Sequence, residues 1–103
     1  METRSTFFDK ALHAHHQGLL NQAHDLYAQV PALDECQPEA LHLRGVICLQ
    51  WGQIATGIDL IQQALRLQPS NAKAHFNLAN AFLGQHLYDD ALDHFDLALQ
   101  HKP

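Results

Sequence analysis

Residues 74–103 read AHFNLANAFLGQHLYDDALDHFDLALQHKP, and the spacing of their apolar side chains decides the fold. Ala74, Leu78 and Phe82 recur at helical intervals, with Phe76 and Leu83 broadening the stripe. A break follows at residues 84–86. Tyr88, Ala91, Leu92, Phe95, Ala98 and Leu99 then form a second stripe. Asp89 and Asp90 suit the positive end of that second helix. Two amphipathic helices joined by a short break make an antiparallel hairpin.

The same pattern recurs upstream. At an offset of 34 residues, Gly18 aligns with Gly52 and His86, Ala11 with Gly45 and Ala79, and Ala23 with Gly57 and Ala91. Bulky residues align as Tyr27, Ile61 and Phe95, followed by Val30, Ala64 and Ala98, and Pro69 aligns with Pro103. Small residues at fixed places let two helices cross closely, and bulky ones fill the adjacent groove. The 68–71 segment, Gln-Pro-Ser-Asn, ends one helix and offers a polar cap to the next. Pro38 fits a first helical turn, and Pro31 ends a helix early. A lone hairpin cannot bury its apolar face, so such units must stack.

On these residues the chain resembles the tetratricopeptide repeat family. In the third unit Asn77, Leu78, Ala79, Phe82, Tyr88, Ala91, Phe95, Ala98 and Pro103 carry the resemblance. The second unit contributes Leu43, Gly45, Gly52, Gly57, Ile61, Ala64 and Pro69, and the first Ala11, Gly18, Ala23 and Tyr27. Arg44 stands where the family usually has leucine, His86 where it has a turn glycine, and Glu35 where it has a closing proline. The resemblance implies an all-α solenoid: a right-handed superhelix of three antiparallel helix-turn-helix hairpins. It forms one domain over residues 1–103, with repeats at about 4–37, 38–71 and 72–103. The RNA-reading pentatricopeptide type has a similar period, but the acidic balance of this chain argues against it.

The resemblance also implies a concave surface lined by the first helix of each unit. In that register the surface shows Phe8, Leu12, His15 and His16, then His42, Leu43, Val46 and Leu49, then Lys73, Phe76, Asn77, Asn80 and Leu83. An apolar surface of this extent marks an interaction site, suited to a peptide or an amphipathic helix. Chaperone-binding relatives grip a terminal carboxylate with cationic and amide side chains. At the matching places here, Phe8, Leu12, Leu43, Lys73 and Asn77, only Lys73 is basic, so a carboxylate clamp is not expected. The expected function is a protein-binding adaptor. The alternatives are an N-terminal substrate-guiding module of a larger enzyme, such as a glycosyltransferase, and a self-assembling scaffold. Tyr88, Leu92, Phe95 and Leu99 form a stripe that a following helix or a second copy in a homodimer would cover.

Composition narrows the remaining classes. Eleven Asp and Glu against six Lys and Arg leave a net charge of -5, which disfavours nucleic acid. No apolar run is long enough to insert into a membrane, and no secretory signal opens the sequence. Cys36 and Cys48 read as unpaired thiols, which points to the cytoplasm. Of nine histidines, His13 and His16 share a helix face, but two ligands do not make a metal site; no metal, cofactor or catalytic group is expected. Gly45, Gly52 and Gly57 fall in helix contacts or turns rather than a phosphate loop, and Ser5 and Ser70 lack a base. Protonating every histidine would take the net charge from -5 to +4, so partner binding is expected to respond to mild acid.

Overall fold

Helices form where the apolar stripes place them. In a computed structural model that describes residues 6–102, they are α1 (Thr6–His16), α2 (Leu20–Ala28), α3 (Gln37–Gln50), α4 (Ile54–Leu67), α5 (Ala72–Gly84) and α6 (Tyr88–His101). Ser5 and the closing Pro103 lie outside the described residues. The helices pair as α1/α2, α3/α4 and α5/α6, and the three hairpins stack into an all-α solenoid 43 × 28 × 21 Å in extent.

Each hairpin turns in the same way. Gly18, Gly52 and His86 all adopt positive φ, at 77°, 83° and 63°. The residue after each donates its amide to a carbonyl five positions back: Leu19 to Ala14, Gln53 to Cys48 and Leu87 to Phe82, all at 2.9 Å. This 6→1 bond satisfies a helix-end carbonyl, and the left-handed residue that permits it favours glycine. His86 takes that conformation without glycine's freedom, and its Nδ1 meets the Tyr88 hydroxyl at 2.9 Å. Between hairpins, Asn71 caps α5 by accepting from the Ala74 amide at 3.1 Å. The first junction is longer, running over residues 29–36, because α2 stops at Ala28 ahead of Pro31.

The small columns lie at the helix crossings. A Cβ on Gly45 would fall 2.7 Å from Ile61 Cγ1 and 2.9 Å from the Gly57 carbonyl oxygen, and one on Gly57 would meet Leu49 at 2.7 Å. Thus α3 and α4 approach backbone to backbone, whereas Ala11/Ala23 and Ala79/Ala91 keep their methyl groups, all buried. One core cluster joins Phe8, Ala11, Ala23 and Tyr27 to Ala40 and Ile47 of the next hairpin. A second joins Ile61 and Leu65 to Ala74, Leu78, Phe82 and Ala91, so each interface is closed by the first helix of the following unit.

Candidate partner-binding surfaces

The structure separates the residues expected along the concave face. Lys73, Phe76, Asn80 and Leu83 of α5 are exposed, as is His16 of α1. Leu12, His15, Leu43, Val46, Leu49 and Asn77 are half-buried. Phe8 and His42 are buried, with only 4% and 2% of their surface exposed. Phe8 packs into the first core with its ring centroid 5.9 Å from Tyr27. His15 closes over the same tyrosine, with Nδ1 3.0 Å from its hydroxyl. Burial pushes the Tyr27 hydroxyl up to about 12, with the Glu39 charge adding to it.

His42 is held from both sides. Its Nδ1–H donates to Glu39 Oε1 at 2.8 Å, which leaves Nε2 to accept from Asn77 Nδ2, also at 2.8 Å. The bond to His42 holds the Glu39 carboxyl below its ordinary range, with Asn71 and Lys73 contributing behind it. The chain Glu39–His42–Asn77 therefore ties α3 to α5 and satisfies a buried imidazole. The repeat register alone places His42 on the surface, and the neighbouring hairpin buries it. The signal for this contact is its offset of 35 residues from Asn77, one step beyond the repeat.

Two cavities flank α5. One, of about 390 Å³, lies between α3 and α5 and is lined by Val46, Leu49, Ile54, Asn77, Asn80 and Ala81, closed by Gln50, Gly84 and Gln85. The other, of about 720 Å³, lies between α5 and α6 over Phe76, Phe95, Ala98 and Leu99, with Lys73 and Lys102 at its rim. Asn77 borders both. The Phe76 and Phe95 rings pack edge to face, 5.7 Å apart. Along the α6 stripe, Tyr88, Leu92 and Leu99 are exposed and Phe95 is half-buried.

The remaining polar clusters lie away from these cavities. His75 Nε2–H donates to the Pro69 carbonyl at 2.7 Å, so its Nδ1 accepts from His94 Nδ1–H at 3.1 Å. The His101 ring stacks on His75 at 5.7 Å. Burial lowers the His94 pKa, and His75 beside it lowers it further. Cys48 and Cys36 are free thiols. Burial raises the Cys48 thiol pKa, which suits a packing role better than a reactive one. The Trp51 ring sits 5.2 Å from His24 at the end of α3. Among the described residues, no three His, Cys, Asp or Glu side chains are grouped to hold a metal ion. No helix among them is long and apolar enough to cross a membrane.

Comparison with known proteins agrees with this architecture. The Tetratricopeptide repeat family model matches residues 49–103, just over half of the chain. No curated protein matches it. Among solved structures, MamA superposes with a TM-score of 0.84 at 19% identity, over 98% of this chain and 60% of that one. The chain thus spans less than two thirds of the MamA structure. The second TPR of Spaghetti (RPAP3), bound to the HSP90 peptide SRMEEVD, superposes at 0.85 with 18% identity, over 94% of this chain and 90% of that one. The Sgt2 TPR domain from Aspergillus fumigatus does so at 0.82 with 19% identity, over 98% of this chain and 70% of that one.

Proposed function

The chain belongs to the tetratricopeptide repeat family, and from that premise we propose that it is a non-enzymatic interaction module holding a peptide or helix of another protein between α3 and α5. The observation that carries this reading is the cavity of about 390 Å³, whose apolar floor of Val46, Leu49 and Ile54 faces the amides of Asn77 and Asn80. Apolar side chains of a partner would be buried on that floor, and the amides would pair with its backbone. His42 takes the Asn77 amino group, so the Asn77 carbonyl oxygen is left to accept from a partner N–H. The two free cysteines suit a reducing cytoplasm.

The ligand differs from the one bound to RPAP3. A terminal carboxylate needs convergent cations, and this face offers Lys73 while Phe8 is buried and Leu12 and Leu43 are apolar. The SRMEEVD peptide is therefore expected not to bind.

The test is an affinity capture from a lysate with wild type beside a Val46→Glu, Leu49→Glu variant, each first shown to keep the same helical spectrum. A protein retained by wild type and absent from the variant supports the groove. Equal retention by both removes it.

A further inference from the structure

The larger cavity, between α5 and α6, has a counterpart inside the molecule that is already filled. Moving back 34 residues, Phe95, Ala98 and Leu99 become Ile61, Ala64 and Leu65, and Lys73 becomes Glu39. On that inner seat lies α5, which brings Ala74 and Leu78 into one buried cluster with Ile61 and Leu65. Its Asn71 and Lys73 interact with Glu39 at the edge. The chain therefore displays what fits such a seat: a helix with a small residue, a bulky one four places on, and a charge opposite the rim.

On the outer seat the rim has the opposite sign. Lys73 and Lys102 stand beside a floor in which Phe76 is 51% and Leu99 69% exposed. We propose that this face is a docking seat for an amphipathic helix of a partner protein that carries a carboxylate opposite Lys73 and Lys102. A carboxylate there complements both ammonium groups, and the helix buries Phe76, Phe95 and Leu99 as α5 buries Ile61 and Leu65.

A second copy of this chain fits less well, for two reasons. Stacked head to tail, α1 would arrive with Lys10 at the place that Leu78 fills in α5, and would bring that ammonium onto the apolar floor beside two lysines. Packed face to face about a two-fold axis, two seats would bring Lys73 and Lys102 of both copies into one interface whose lining offers no carboxylate to pair with them. The seat shares only Asn77 with the groove between α3 and α5, so the two sites are separable by mutation.

The probe is a capped, fluorescently labelled peptide of residues 71–84, made as the native sequence and with Lys73→Glu. Binding to the whole chain is followed by anisotropy. The acidic peptide is expected to bind at least about fivefold more tightly than the native one, a typical worth for a pair of favourable charges at a partly buried rim. On a Lys73→Glu, Lys102→Glu variant of the chain the preference should reverse, and on the Val46→Glu, Leu49→Glu variant it should persist. Equal affinities, an absence of binding by both peptides, or an unchanged preference on the lysine variant would overturn the proposal. So would a mass in sedimentation equilibrium that doubles with concentration and reverts to monomer in Leu99→Glu, because a second copy would then hold the seat.

Discussion

Leu41 and Leu60 of the second hairpin and His75 and His94 of the third stand at the same places, 34 residues apart, and the two pairs are accommodated by different means. The leucines join Cys48 and Ala64 in an apolar cluster and need no hydrogen-bond partner of their own. The histidines are tolerated because one proton is shared between their Nδ1 atoms and Pro69 takes the remaining N–H of His75. Other columns differ in the same way. Leu78 is fully buried, whereas its counterpart Arg44 leaves its Nε buried without a hydrogen-bond partner. The Gly45/Gly57 crossing becomes Ala79/Ala91, and the turn glycine Gly52 becomes His86. One backbone plan therefore accepts dry, polar and strained solutions at equivalent positions, provided that each satisfies its own neighbours.

The largest effect expected from breaking this comparison comes from Leu78→Ala. Emptying a fully buried leucine that spans two hairpins should cost about 2–5 kcal/mol in denaturant unfolding followed by Trp51 fluorescence. A cost below about 1 kcal/mol would mean that the second core does not depend on α5. Next, Gly45→Ala should lose about 1–2 kcal/mol. The new methyl meets backbone at 2.9 Å, an overpacking cost of about 1–3 kcal/mol, against which better helix propensity returns up to about 1. At the looser crossing, Ala79→Gly should lose about 1 kcal/mol, mostly through backbone entropy.

His94 ties stability to pH. Burial lowers the pKa of His94, and also of His15 and His24, so the unfolded chain takes up these protons first on acidification. Stability should be level around pH 7.5 and fall as pH drops below the ordinary histidine value near 6.5. It should go on falling until the folded chain protonates too. Replacing the pair by leucines (His75→Leu with His94→Leu) should make the decline shallower by the part that His94 contributes. An unchanged slope would place the pH dependence elsewhere. The smallest effect is expected from His86→Gly. Relief of the left-handed conformation, worth about 1–2 kcal/mol, is offset by greater freedom when unfolded and by the lost Tyr88 contact, leaving a gain below about 1 kcal/mol in thermal unfolding.

Much of the hairpin architecture is legible in the amino-acid sequence, because its causes are local and periodic. Ala74, Leu78 and Phe82 mark a helix by spacing alone, Asn71 is a recognisable cap, and the column of Gly18, Gly52 and His86 locates the turns. The concave face is less legible. Its register follows from the repeat, but the depth of each side chain depends on the helix alongside. Phe8 and His42 share a column with Phe76, and only Phe76 remains exposed. The hairpin that follows covers the first two, and Asn77 reaches across to hold His42.

Local pattern is enough to give the six helices, their pairing and the places where they cross, since each rests on residues within a few turns of one another. Stacking of the hairpins sets which first-helix residues stay exposed, how the histidines share their protons, and where lysines come to rim an apolar seat. Those outcomes depend on groups brought together from different hairpins. Whether such a side chain is packed, paired or open is settled by the neighbour that stacking supplies.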